Sequence, residues 1–283
     1  MTAALEVSPH ANNFGACVRG IDLRAPLTEA TVADLRQLWL RYQIIYFPDQ
    51  PLAHVQLETF TRYFGPFGND PYVKAVDGHQ HILEVRREPS EQVTPFGSSW
   101  HSDWSFQANP PSATILHAKV VPPLGGDTHY ADGVRAYEAL DASLRDEIDT
   151  LVSLHSARRP YSHEGYRRSG GDRRSMTILP DDNAWDVQAH PLVRTHAESG
   201  RKSLWINPVY TIGIQDMADS DADKLLQRLF NHALQPEFIY THKWAPQMLT
   251  MWDNRTVQHC AQGGYDGYLR VMHRTTVAGE RPC

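Results

Sequence analysis

The sequence predicts a mainly β protein with flanking helices, a jelly roll (double-stranded β-helix) core in one domain. Three observations predict it. Short strand-like runs recur between Gly, Pro and Asp turns, few helical segments lie among them, and neither a GxGxxG after a strand nor a GxxxxGK[ST] occurs. No repeat, low-complexity tract or Gly/Ser linker divides residues 1–283.

Taken in order, the first helix starts from Thr28 as N-cap, with Val32, Leu35, Leu38, Trp39 and Tyr42 on one face at spacings of three and four. The apolar run Ile44–Phe47, stopped by Pro48-Asp49, reads as a strand, and Val55 to Phe64 as a helix ending at Gly65. A third helix spans about Asp132 to Leu151 and a fourth about Ser220 to Leu234, each with an apolar stripe. Further strands are read at Ile82–Val85, Thr114–Val121, Leu192–Thr195, Ser203–Ile206, Met248–Asp253 and Tyr268–Val277. Residues 66–99 are expected as a lid. Residues 161–183, polar and without periodicity, are expected as a long internal loop.

With 41% hydrophobic and 21% charged residues the chain has the composition of an ordinary globular protein. A net charge of -6 argues against nucleic acid as a partner, and the one basic stretch, Arg167 to Arg174, reads as a solvated loop. No apolar run is long enough for a bilayer, so no membrane partner is expected, and the N-terminus lacks the pattern of a signal peptide. Three cysteines without CxxC spacing suit the reducing cytoplasm, which is the expected location.

The chemistry is concentrated in two segments. In Trp100-His101-Ser102-Asp103-Trp104, an extended backbone would put His101 and Asp103 on one side, one nitrogen and one oxygen for a single metal. Alone this is a common pairing, equally readable as an exposed strand pair. Far downstream, Trp252-Asp253-Asn254-Arg255-Thr256-Val257-Gln258-His259 ends in a second histidine, and Arg270 and Arg274 follow. Two histidines and a carboxylate occupy one face of an octahedron and leave three positions open, the arrangement of oxygen-activating iron(II) sites. A zinc site would close into a tetrahedron or keep one water.

Together with Gly20-Ile21-Asp22-Leu23, the Tyr42-to-Gln50 strand, Phe64-Gly65-Pro66, Pro110-Pro111 and Gly125-Gly126-Asp127-Thr128, these blocks run in a known order. The sequence resembles, over nearly its whole length, the TauD/TfdA family of iron(II)/2-oxoglutarate-dependent dioxygenases. The resemblance implies Fe(2+), with 2-oxoglutarate and O2 as co-substrates. It makes His101, Asp103 and His259 the metal ligands and catalytic residues. Arg270 and Thr128 become the binding residues for the 2-oxoglutarate carboxylate, a task suited to a guanidinium fork. Retention of Asp103 implies hydroxylation rather than halogenation.

Arg274 matches the position that contacts an anionic group of the primary substrate; its alternative is an internal pair with Asp103 or Asp253. Thr128 could instead be only a turn residue. Asn69 or Asp70 occupies the place of a substrate-binding histidine, and Asp70 there would repel a sulfonate or favour an amine. The function implied is hydroxylation of a small organic anion, carboxylate or sulfonate, releasing succinate and CO2. Two alternatives stand beside it: biosynthetic oxidation of an amino-acid-like substrate, and a non-catalytic metal-containing jelly-roll binding protein. Relatives are often dimers or tetramers, so a homodimer or homotetramer is implied.

Overall fold

A computed structural model describes residues 5–283; the first four residues of the N-terminal stretch lie outside it. Strands β1 (Glu6–Pro9) and β2 (Ala16–Arg19) pair antiparallel, and α1 (Glu29–Tyr42) follows with the Thr28 side chain accepting from the Thr31 amide. Next come β3 (Ile44–Phe47), α2 (His54–Arg62), β4 (Ala75–Val76), β5 (His79–Arg87), β6 (Ala113–Val120) and β7 (Thr128–Asp132). Helices α3 (Gly133–Glu138) and α4 (Ala142–Ile148), β8 (Val152–His155), α5 (Arg158–Tyr161), α6 (His163–Arg168), β9 (Gln188–Pro191), β10 (Val193–Thr195), β11 (Lys202–Leu204) and β12 (Thr211–Ile214) form the middle of the chain. Helix α7 (Asp219–Ala233), β13 (Ile239–His242), β14 (Leu249–Asp253), β15 (Val257–Ala261) and β16 (Arg270–Val277) complete it.

The expected jelly roll is present. An eight-stranded sheet of order β1-β2-β3-β14-β6-β16-β5-β4 faces a three-stranded sheet β13-β7-β15, and Leu116, Met272, Trp252, Tyr130 and Val257 pack between them. On β6, β14 and β16 the alternation of side chains divides two cores. Ile115, Leu249, Met251 and Val277 point outward, under Leu35 and Trp39 of α1 and Leu57 and Phe60 of α2. Thr114, Leu116, Trp252, Arg270, Met272 and Arg274 point inward, to the space between the sheets. A third core joins α3, α4 and α7 to β10–β12.

Several elements differ from the sequence reading. The expected helix 132–151 is two helices, because Asp141 caps a new start by accepting from the Leu144 amide at 2.9 Å. Residues 161–183 are not a structureless loop. Ser162 caps α6, two 3₁₀ turns follow, and Met176 and Ile178 are buried against Trp104 and Tyr72. Each of these elements is too short to show a period in sequence. Of the expected lid at 66–99, residues 79–87 are β5, an integral partner of β16. The basic stretch is solvated at Arg167, Arg168 and Arg173, but the Arg174 side chain is only 8% exposed. Among the described residues no helix is long and apolar enough to cross a membrane.

Candidate active site

His101 and His259 are joined through their backbones. The His101 amide donates to the His259 carbonyl at 3.0 Å and the His259 amide to the His101 carbonyl at 2.8 Å, an isolated antiparallel bridge that brings the loop before β6 onto β15. Asp103 is not on an extended strand with His101. A turn follows His101, and Trp104, a residue with a full side chain, adopts φ 51. Ser102 points away and donates to the Val257 carbonyl at 2.9 Å. The result is still the cluster read from sequence: His101, Asp103 and His259 are all buried, with ligand atoms within 4.8 Å of one another. Oδ1 of Asp103 lies 3.5 Å from Nε2 of His101 and 4.0 Å from Nε2 of His259.

Each group is presented by a neighbour. Nδ1 of His101 lies 2.7 Å from the Ser99 carbonyl, which as acceptor fixes the proton there and leaves Nε2 a free lone pair. Oδ2 of Asp103 accepts from Thr114 Oγ1 at 2.6 Å; Thr114 in turn accepts from Asn254 Nδ2 at 2.8 Å, and Asn254 from Trp252 Nε1 at 3.0 Å. Burial opposes the ionisation of Asp103, but Arg274 above all, then His259 and His101, hold its carboxyl well below the usual range. Burial, with His101 beside it, pushes His259 down to about 3. Asp103 is thus a carboxylate and His259 a neutral imidazole, the forms that bind metals.

Arg270 and Arg274 share the inner face of β16 but have different company. Arg274 places Nη1 3.3 Å from Asp103 Oδ1 and Nη2 3.2 Å from Asp70 Oδ1, so the internal pair weighed for it is present. Asp70 also accepts from Trp104 Nε1 and, at 2.8 Å, from Thr276 Oγ1, so most of its acceptor capacity is used within the protein. Asn69 is exposed and offers only its carbonyl, to Gln107; it does not reach the site. Arg270, 5% exposed, has no carboxylate within ion-pair distance among the described residues. Its Nη2 donates to the Gly126 carbonyl at 3.3 Å and its Nε has no partner. Gly126, at φ +70, is required here, since a Cβ would lie 3.3 Å from that Nε. Thr128 on β7 is buried, and its Oγ1 accepts from Trp244 Nε1 at 3.0 Å, which leaves the hydroxyl proton to be given elsewhere.

A cavity of about 50 Å³ is lined by Asp103, His259, Thr128, Trp252, Arg270 and Arg274, and an outer cavity of about 180 Å³ meets it at Phe96, Gly97 and His101. Sequence reasoning did not single out Thr114, Asn254 or Trp244. Asn254 lies in the WDNRT block, which was its only signal; the other two become visible only by contact.

The chain is similar to known proteins over nearly its whole length. The family model described as "Taurine catabolism dioxygenase TauD, TfdA family" matches residues 6–276. The (S)-phenoxypropionate/alpha-ketoglutarate-dioxygenase of Sphingobium herbicidovorans is 33% identical, with 99% of this chain and 97% of that protein covered. The alpha-ketoglutarate-dependent sulfate ester dioxygenase of Pseudomonas putida is 30% identical over 98% and 91% of the two chains. Among solved structures, that of AAD-2 in complex with Mn(II) and N-oxalylglycine superposes with a TM-score of 0.83, at 31% identity over 100% of this chain and 99% of that one.

Proposed function

Because the chain belongs to the TauD/TfdA family of dioxygenases dependent on 2-oxoglutarate (alpha-ketoglutarate), we propose that it hydroxylates a small organic anion at an iron(II) centre, releasing succinate and CO2. His101, Asp103 and His259 hold the metal, and Arg270 with Thr128 holds the distal carboxylate of 2-oxoglutarate. The observation that carries this reading is Arg270. A buried guanidinium without a carboxylate is costly, and here it lines the same cavity as the three-donor cluster. A dicarboxylate spanning cation and metal removes that cost, whereas a purely structural metal has no use for the arginine.

The donor set fits iron. Two imidazole nitrogens and one carboxylate oxygen leave open positions for a chelating keto acid and for O2. Iron bound there supplies the redox chemistry that couples decarboxylation to oxygen insertion. The protein's own residues do the rest. Ser99 and Thr114 orient the donors, the Arg270 fork and the Thr128 hydroxyl fix the co-substrate, and Leu116, Trp252 and Val85 keep water from the inner cavity.

Two relatives act on substrates named as phenoxypropionate and sulfate esters, which supports an anionic substrate here. The amino-acid alternative is weakened at Asp70, whose carboxylate is paired with Arg274 and accepts from Trp104 and Thr276. The test is succinate formation from 2-oxoglutarate after anaerobic reconstitution with iron(II) and admission of air. Iron-dependent turnover that disappears in His101→Ala is the expected result. No turnover under any reconstitution overturns the proposal.

A further inference from the structure

Arg270 borders two spaces. On one side is the inner cavity of the ligand cluster, and on the other a void of about 10 Å³ that Tyr265, Arg87, Glu91 and Arg174 also line. Tyr265 borders only the second, so it stands behind Arg270 as seen from His101, Asp103 and His259. A void of that size holds about one water-sized sphere, which leaves the guanidinium no room to withdraw. Arg270 has few other restraints. Its Nη2 donates to the Gly126 carbonyl and its Nε has no partner, while its Cζ lies 5.9 Å from the centre of the Tyr265 ring.

Tyr265, only 3% exposed, is itself held in place. Arg87 faces Arg270 in the antiparallel pairing of β5 with β16, and its Cζ lies 4.9 Å from the same ring. Like charges opposite each other on neighbouring strands repel, and a ring within reach of both attracts each. Arg87 is anchored by the residue after Tyr265: its Nη2 donates to Asp266 Oδ1 at 2.7 Å and to the Val93 carbonyl at 3.3 Å. The loop between β15 and β16 is pinned as well. The Gln262 amide donates to the Asp127 carbonyl at 2.8 Å, and the Gly126 amide to the Gly263 carbonyl at 3.0 Å. A Cβ at Gly125 would come within 2.5 Å of the Gly264 carbonyl oxygen, so the two glycine turns lie in direct contact. The turn whose carbonyl accepts from Arg270 therefore also fixes the loop that carries Tyr265.

Resting on the function proposed above, we infer that Tyr265, braced by Arg87, is a positioning residue that fixes how far Arg270 stands from the three donors and so sets the length of dicarboxylic keto acid the site accepts. A keto acid that spans metal and guanidinium fits only at one separation of the two. One more methylene requires Arg270 to retreat by about the length of a C–C bond, ~1.5 Å at most, and the Tyr265 ring stands where it would go. Tyr265 lines no part of the ligand-cluster cavity and acts only through Arg270. Loss of the ring removes both the barrier and the attraction that orients the guanidinium fork. Binding of 2-oxoglutarate then weakens about fivefold to tenfold, while a longer keto acid loses less or gains.

The experiment is calorimetric titration of the anaerobic iron(II) protein. The titrants are 2-oxoglutarate, the longer 2-oxoadipate, and 2-oxovalerate, which has no distal carboxylate. The parent is expected to bind 2-oxoglutarate about tenfold or more tighter than 2-oxoadipate. Tyr265→Ala cuts that ratio to about twofold or less, and Tyr265→Phe, which keeps the ring, retains it. Affinity for 2-oxovalerate, and that of the metal-free protein for Mn(II), make no use of Arg270 and stay equal in all three proteins. A residue that only stabilised the fold would weaken all three keto acids alike. The inference is overturned if the parent shows no preference for length, if the preference survives in Y265A or is lost in Y265F, or if 2-oxovalerate weakens in Y265A as much as 2-oxoglutarate does. Should Y265A not fold, Tyr265→Leu takes its place under the same outcomes. Failure of the parent to bind 2-oxoglutarate defeats the functional reading itself, whereas binding with an unchanged ratio in Y265A defeats this inference alone.

Discussion

Nη1 of Arg274 stands 3.3 Å from Oδ1 of Asp103, the same oxygen that faces Nε2 of both His101 and His259. In the metal-free protein the guanidinium therefore compensates a buried carboxylate whose other oxygen is already held by Thr114. Replacing Arg274 with Met leaves Asp103 and Asp70 buried without their cation and is expected to cost about 3–5 kcal/mol of stability. Urea unfolding of metal-free protein measures this, and Asp70→Asn in the same chain should recover part of the loss.

The Thr114 hydroxyl orients Asp103 from outside the donor set. Thr114→Val removes the 2.6 Å hydrogen bond with little change of shape. Metal affinity should fall roughly 10–100-fold, as when other outer-shell partners are removed. Titration with Mn(II) under anaerobic conditions reads it directly.

On the function proposed, Trp244 acts one step behind the co-substrate. Its indole N–H fills a lone pair of Thr128 Oγ1, so that the hydroxyl proton is left to be given elsewhere. Trp244→Phe loses about 1 kcal/mol of this arrangement, and the KM for 2-oxoglutarate should rise about fivefold. The KM for the primary substrate should stay unchanged.

Acid should destabilise the fold through histidines outside the site. Burial pushes His117 and His190 down to about 4 and His242 to about 3, so all three are neutral when folded. The unfolded chain binds their protons near pH 6.5, so between about 6.5 and 4 it holds more protons than the folded chain. Stability is therefore full above about pH 6.5 and falls as pH drops through that window, by on the order of 3 kcal/mol per group at most. Thermal unfolding at pH 7, 5.5 and 4.5 shows the slope, and His117→Gln, which can still donate to the Gln50 carbonyl, should flatten it.

The strands most easily legible in sequence carry runs of apolar residues, as in β3, β6 and β14, and β16 is legible too although it carries Arg270 and Arg274. Strands β7 and β15 are not legible because polar residues break their short runs. Thr128, Asp132, Gln258 and His259 interrupt the apolar pattern by which a buried strand is recognised. His101 and Asp103 were found by residue type, but the turn that joins them was not, since no sequence rule places a tryptophan at positive φ. Thr114, Asn254 and Trp244 escaped for another reason. Their partners lie 11, 140 and 116 residues away, and only the packed sheets bring those pairs together. Arg274 was read with its internal pair as an alternative, and Asp103 and Asp70 are the residues it meets.

On the function proposed, the three-donor cluster and Arg270 bind one molecule of 2-oxoglutarate between them. Calorimetric titration of 2-oxoglutarate into anaerobic iron(II) protein tests it most directly. A single site per chain is expected, weakened at least tenfold by Arg270→Gln and abolished when the metal is withheld or His259 is replaced by Ala. Equal affinity in R270Q, or in the metal-free protein, would contradict it.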